Sequence, residues 1–390
     1  MWLSNAAVLW ADGQFRRGHL RMENGVLAEI TAGSPPLSAM DLQGRRVLPG
    51  LIDLHIHGYA GAYVMDEDIT VPERLSLLLA QQGVTSYVPT TTVAEEKVLL
   101  STLRRWAVAA EQPATGAVIR GLYMEGPFLS PHYKGAMREE CIRLPDIPLA
   151  EAFRAAGGGW LKLLTIAPEQ EGADALLRWC AAQGIIASIG HTAADYETPR
   201  AAFAGGAAHV THLCNAMTDL RHREPGVLGA ALDSDVTVEL IGDGFHIHPA
   251  VVRMLYRLLG DDRIVLISDN TPISGSPDGQ YQMDGVTSVV KDGTCRLENG
   301  TINGNMQPLL ACVFLAADMG IPLASAVKMA TETPARRLGI ADKTGSLSIG
   351  KDADLVVLEP DNTVYLTMVR GRIVYKKDDC CTQQGKDRSQ

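Results

Sequence analysis

Apolar and polar positions divide the chain into three regions. Over the first fifty residues, short apolar runs at 6–10, 19–22 and 26–30 are separated by Asp12-Gly13 and Asn24-Gly25. Asn-Gly between two apolar runs predicts a hairpin, because both residues accept the positive φ that a two-residue connection needs. The far end repeats the style, with strand-like runs at 354–358, 363–369 and 373–375 and Gly371 in a turn. Neither end carries enough apolar surface for a core of its own. Together, residues 1–50 and 346–379 are expected to form one small β-sandwich.

Between the two ends the period changes. Eight apolar, β-rich segments occur at 51–57, 84–90, 118–125, 161–167, 185–191, 208–212, 236–243 and 264–269. Most gaps hold a helical candidate, including 73–82, 98–111, 173–183, 198–203 and 249–259, and a further helical pair, 322–329 and 334–338, follows the last strand. Strands alternating with helices predict a parallel sheet, and eight such units predict closure. The fold class is therefore α/β, a (β/α)8 barrel over residues 51–345 with the β-sandwich as satellite. A barrel of roughly 250 residues plus a satellite accounts for a chain of 390. The last stretch, 380–390, is polar and expected to be mobile.

Composition narrows the partners. Apolar residues make up 46% and charged residues 21%, as in a soluble globular protein. A formal net charge of -10 argues against nucleic acid as a bulk partner, but permits a small anion held by one or two local cations. No run of about 20 apolar residues is present, so no membrane span is expected. Residues 1–10 lack the basic stretch and long apolar run of a signal peptide. Seven cysteines without a CxxC pair, Cys380 and Cys381 adjacent among them, read as reduced thiols and a cytoplasmic location.

Candidate chemistry gathers where the active site of such a barrel forms, at the C-terminal ends of the strands. Those ends carry His55 and His57, Glu125, His191, His212 and Asp269, so five of the eight strands finish on a metal-capable side chain. Side chains alternate along a strand, which puts His55 and His57 on one face about 7 Å apart. Ile52, Leu54 and Ile56 should then turn toward covering helices. Two imidazoles leaning together suit a divalent cation, Zn²⁺ above all. Glu125, followed by the chain-breaking Gly126-Pro127, can bind one ion or bridge two. His191 and His212 offer the nitrogens of a second site. Asp269 emerges from four apolar residues, where an unpaired charge is costly unless it has a task. General acid/base catalysis beside a cation is such a task.

These motifs, in this order, resemble the N-acetylglucosamine-6-phosphate deacetylase family of the amidohydrolase superfamily. The resemblance rests on Pro49-Gly50-Leu51-Ile52-Asp53-Leu54-His55-Ile56-His57-Gly58, Glu125-Gly126-Pro127-Phe128, Gly190-His191-Thr192, Thr211-His212-Leu213-Cys214-Asn215-Ala216-Met217 and Arg223-Glu224-Pro225-Gly226, and spans about residues 3–376. It implies a metal-dependent hydrolase that removes acetyl from an N-acetylhexosamine 6-phosphate, either N-acetylglucosamine or N-acetylgalactosamine. It implies one metal on Glu125, His191 and His212, and in some members a second on His55 and His57, with Asp269 as acid/base at the metal. Substrate contacts are implied at Ala136, Met137, Asn215, Ala216, Arg223, His246, Asn305 and Met306. A homodimer with a small amino-sugar substrate is also implied.

Three positions depart from the family pattern. Met137 stands after Lys134-Gly135-Ala136 where members usually place a histidine, and a thioether donates no hydrogen bond. The usual Thr-Asp-Ala reads Ser268-Asp269-Asn270, and the loop that closes over the sugar reads Asn303-Gly304-Asn305-Met306-Gln307-Pro308. A different N-acyl or cyclic amide, without phosphate, is the alternative these departures leave open. A nucleobase deaminase would share the two histidines and the terminal aspartate, but Glu125-Gly126-Pro127 speaks against it.

Overall fold

In the computed structural model, residues 1–10 and 12–378 are described, and the expected tail at 380–390 lies outside them. The alternating middle region forms eight parallel strands: β1 (Leu51–Ile56), β2 (Val84–Thr91), β3 (Leu122–Met124), β4 (Leu161–Ile166), β5 (Ile186–Ile189), β6 (His209–Val210), β7 (Thr237–Ile241) and β8 (Ile264–Ile267). Each strand pairs with the next from β1 to β8. The seam between β8 and β1 is closed just beyond the end of β8. Asp269 N–H donates to the His55 carbonyl at 3.0 Å, and His57 N–H donates to the Asn270 carbonyl at 2.8 Å. Lower in the seam the Asp53 carboxylate stands in for a ladder acceptor, taking the Ser268 N–H at 3.1 Å.

Two faces of the barrel sort the apolar residues. Leu54, Val88, Tyr123, Leu163, Ile241, Val265 and Ile267 come from six strands and touch one another, so they fill the interior. Their neighbours in sequence, such as Tyr87, Met124, Leu164, Leu240 and Leu266, pack outward in the larger core. Leu54 therefore corrects the expectation of strict alternation, since it joins the interior and only Ile56 joins the outer core. The cause is a bulge. Asp53 pairs with Tyr87 and Ile56 with Pro89, so three steps on β1 face two on β2. Above this layer the hydroxyls of Tyr123, Thr165, Ser188 and Thr211 hydrogen-bond to one another at 2.7–3.0 Å, a polar floor beneath the strand ends.

Both chain ends join one eight-stranded sheet. It includes Trp2–Leu9, Phe15–Glu23, Val26–Thr31, Arg46–Pro49, Leu355–Leu358, Val364–Val369 and Arg372–Lys376. The strand Val26–Thr31 at one edge returns to residues 350–353, where Leu27 N–H reaches the Lys351 carbonyl at 2.8 Å, so the sheet folds over its own core. Alternation decides what each face covers. Val47, Leu355 and Val357 line that inner core, whereas Leu48, Val356 and Leu358 pack on the barrel.

Sequence periodicity did not anticipate a β-meander and three helices. A three-stranded meander, Gly279–Met283, Val286–Lys291 and Thr294–Leu297, follows β8. Its residues are mostly half-buried or exposed and many are polar, so they carry no strong apolar alternation, although Asp284-Gly285 and Asp292-Gly293 mark its two turns with positive φ. The helix Leu309–Asp318 is apolar on most sides, a pattern that periodicity cannot tell from a buried strand. Helices Ile147–Ala156 and Gly226–Leu232 are short.

One buried ion pair ties the terminal sheet to the barrel. Arg120 lies 3.4 Å from Asp354 and 3.5 Å from Asp352, and donates to Ser86 Oγ at 2.9 Å. Asp354 is almost fully buried and Asp352 is partly open. Asp354→Ala is expected to cost about 3–5 kcal/mol in denaturant unfolding, because the buried guanidinium loses its nearer carboxylate. Asp352→Ala should cost about 0–1 kcal/mol. Equal losses in the two variants would contradict this division.

Candidate metal centre

The five strand ends meet at one rim of the barrel, and Glu125 sits at their centre. Its Oε1 lies 2.8 Å from His212 Nε2 and 3.1 Å from His191 Nε2. Its Oε2 lies 3.1 Å from His57 Nε2 and 3.7 Å from His55 Nε2. Asp269 Oδ1 stands 3.5 Å from both His55 Nε2 and His57 Nε2. All six side chains are buried. One carboxylate thus faces two imidazole pairs, one oxygen to each.

The backbone achieves this by leaving the strands in an unusual conformation. His191, His212 and Asp269 have φ of 48°, 26° and 49°. Residues other than glycine seldom occupy that region, and holding one there costs of order 1–3 kcal/mol. The surrounding bonds impose it. Glu169 Oε1 accepts the Ala193 N–H at 2.7 Å and its Oε2 accepts from the Thr192 hydroxyl, which fixes the turn after His191. Asp269 is gripped through its own N–H by His55 and through its carbonyl by the Asn305 N–H at 3.1 Å.

For three of the four histidines the tautomer follows from an outer partner, while His212 Nδ1 is buried without one. His57 Nδ1 lies 3.1 Å from the Thr90 carbonyl and His191 Nδ1 lies 2.8 Å from the Tyr133 carbonyl. A carbonyl can only accept, so both Nδ1 atoms carry hydrogen, and in the neutral rings both Nε2 atoms present lone pairs. His55 Nδ1 faces the Glu239 carboxylate at 2.9 Å, with the same result. Yet His55 Nε2 and His57 Nε2 are 3.1 Å apart, as are His191 Nε2 and His212 Nε2. Lone pairs brought this close to one another and to a carboxylate need a cation between them. Donors about 2.0–2.1 Å from a tetrahedral Zn²⁺ lie about 3.3 Å apart, so the spacing fits.

The electrostatics agree. Burial favours neutral imidazole, but for His57 the hydrogen bonds to Asp269 and Glu125 outweigh it and raise the pKa to about 9. For His55 the charges of Glu239, Glu125 and Asp269 likewise prevail over burial and push it well above its usual value. Glu125 and Asp269 are pulled well below the carboxylate range despite burial, chiefly by His55 together with His191 and His57 respectively. The cluster therefore draws positive charge, which a divalent cation would supply in place of protons.

Above the centre opens a cleft of about 390 Å³, lined among others by Ala136, Met137, Asn215, Ala216 and His246, all singled out in the sequence. His246 Nδ1 is held 2.7 Å from Asp243, leaving Nε2 as its remaining polar atom. Met137 packs on Val93, Leu129 and Cys141. Other expected contacts fall elsewhere. Arg223 is exposed on a loop, with its guanidinium 2.7 Å from His222 Nε2, and it is not on the cleft wall of its own chain. Asn305 and Met306 are buried behind the wall, where Asn303 and Gly304 take their place. The Asn305 amide is used internally, donating to Ser268 and Gln307 carbonyls at 3.0 Å and accepting the Gln307 N–H at 2.9 Å. Sequence reasoning missed Glu169, His209 and Glu239. The signal for Glu239 was a charge in the middle of the apolar run Val236–Ile241, where it must have a partner.

Comparison with known proteins fits this geometry. The amidohydrolase family model matches residues 46–374. The chain belongs to the amidohydrolase family. Within it, the chain is 35% identical over 383 residues to the N-acetylglucosamine-6-phosphate deacetylase of Bacillus subtilis, covering 96% of each. It is 35% identical over 368 residues to the N-acetylgalactosamine-6-phosphate deacetylase of Escherichia coli O157:H7, covering 94% of this chain and 97% of that one. The crystal structure of N-acetyl-D-glucosamine-6-phosphate deacetylase from Mycobacterium smegmatis superposes with a TM-score of 0.90 at 34% identity, covering 96% and 100% of the two chains. A mutant of that enzyme was solved in complex with N-acetyl-D-glucosamine-6-phosphate. Among the described residues, no helix is long and apolar enough to cross a membrane.

The internal role of Asn305 is testable. Asn305→Ala should lose about 1–3 kcal/mol in unfolding for each acceptor left without its donor, with KM unchanged. A raised KM at unchanged stability would place Asn305 on the substrate instead.

Proposed function

We propose that this protein is a divalent-metal-dependent deacetylase of N-acetylhexosamine 6-phosphates, releasing acetate and the amino-sugar phosphate. The observation that carries the reading is Glu125 between two imidazole pairs, with Asp269 beside them at the foot of an open cleft. The relatives named above supply the substrate class. Four imidazole nitrogens and two carboxylates favour Zn²⁺ as the native ion. Glu125, His191 and His212 would hold one ion, and His55, His57 and Asp269, with the other Glu125 oxygen, a second.

A cation bound there supplies Lewis-acid polarisation of the acyl oxygen and lowers the pKa of water at the site. The protein's own residues do the rest. Asp269, held by two backbone bonds and kept ionised by its histidine neighbours, takes a proton from the attacking water. As the carbon–oxygen bond forms and the carbon–nitrogen bond breaks, Asp269 returns that proton to the departing amine. His246, Asn215 and the Ala216 backbone orient the sugar from the cleft wall. Arg138 is the arginine that this wall carries. Arg223, out of reach in its own chain, would serve phosphate in the cleft of a second copy, as part of a homodimer. Seven cysteines without a CxxC pair favour reduced thiols and, with them, a cytoplasmic location.

Met137 favours a second reading. Its thioether presents an apolar patch to the cleft, which suits an N-acyl substrate without phosphate. Acetate release from N-acetylglucosamine, N-acetylgalactosamine and their 6-phosphates separates the two, and turnover is expected on a 6-phosphate. Removing metal with a chelator should abolish turnover and Zn²⁺ should restore it. Asp269→Asn should lower kcat by about 10²–10⁴-fold. Full activity in metal-free protein, or a mild effect of Asp269→Asn, would overturn the reading.

A further inference from the structure

Glu239 sits on β7, fully buried, and touches both halves of the metal centre. Its Oε2 lies 2.9 Å from His55 Nδ1 and accepts the His212 backbone N–H at 3.0 Å. Its Oε1 lies 3.2 Å from His209 Nε2, and His209 Nδ1 lies 2.6 Å from Thr237 Oγ1. With an ionised Glu239, every N–H that faces it donates: His209 Nε2–H to one oxygen, and His55 Nδ1–H and His212 N–H to the other. The Thr237 hydroxyl stands between His209 Nδ1 and the Ala208 carbonyl, at 2.6 and 3.4 Å. Reversing the His55 tautomer would set a bare Nδ1 against a carboxylate, so Glu239 leaves the His55 Nε2 lone pair pointed at Glu125 and Asp269.

The geometry points to Glu239 as the positioning residue that makes the His55–His57–Asp269 half of the centre a cation site, a role distinct from that of the ligands themselves. The inference rests on the metal-centre reading above. His191 takes its tautomer from the Tyr133 carbonyl and makes no contact with Glu239, so the Glu125–His191–His212 half depends on Glu239 only through one backbone bond. Loss of Glu239 should therefore weaken one cation site selectively. A glutamine there offers His55 only a neutral acceptor, so its Nε2 loses the basicity and fixed orientation that an outer carboxylate gives a metal-ligating imidazole.

Equilibrium titration of the full chain with Zn²⁺ alone, read by bound metal per chain, tests this. Wild type should take up two ions. Glu239→Gln should hold the first as tightly as wild type and the second about 10–100-fold more weakly, the range for losing such an outer partner. His55→Ala should lose the same ion, and adding Glu239→Gln to it should change nothing further. Glu239→Asp keeps the charge but is one methylene shorter, and serves if the glutamine variant does not fold; it should show the same selective loss. Both ions bound with wild-type affinity, both lost together, or a single ion in wild type would each overturn the inference. No ion in wild type would overturn the proposed function itself.

Discussion

A carboxylate buried among four imidazoles is the constraint around which this molecule is arranged. Glu125 has no solvent to satisfy it, and its two oxygens meet a histidine pair on either side. Burying such a group is tolerable only when its charge is matched, and outer partners turn the rings of His55, His57 and His191 with Nε2 toward it. The cluster is thus incomplete as a set of protein groups. It becomes self-consistent when cations occupy the gaps.

Holding that arrangement shapes the rest of the barrel. Three of its residues sit at positive φ, a strained state that persists because Glu169, Asn305 and the seam between β8 and β1 over-determine it. The seam itself is closed by the backbone of His55, His57, Asp269 and Asn270, so closure of the fold and geometry of the site are one set of bonds. Asp53, buried with one oxygen unsatisfied and its pKa raised to about 6 by burial, is part of the same compromise. The terminal sheet docks where the first strands begin, through Gly50 N–H on the Asp354 carbonyl at 3.0 Å and the Thr367 hydroxyl on the Ala80 carbonyl at 2.7 Å.

The cluster at the rim was legible because metal-capable side chains at strand ends are a sequence pattern. Each of His55, His57, Glu125, His191, His212 and Asp269 follows an apolar run, and the barrel topology carries such ends to one rim. What surrounds them was harder to read. Leu54 faces inward because of a bulge that no residue in β1 announces. Glu239 and His209 lie within apolar strands, where position alone does not reveal which strand they face. Asn305 sits in a loop close to the cleft, yet a backbone network turns it inward. Arg223 lies on an exposed loop, off the cleft wall of its own chain. Local pattern identifies which groups do chemistry, while long-range hydrogen bonds decide which groups hold them.

Diffraction data collected at the absorption edge of the bound metal test the central claim most directly. Anomalous peaks are expected on both sides of the Glu125 carboxylate, about 2.0–2.2 Å from its oxygens and from the Nε2 atoms of the facing histidines. An active protein with no peak between Glu125 and His191 and His212, or with its metal bound elsewhere, would contradict the account.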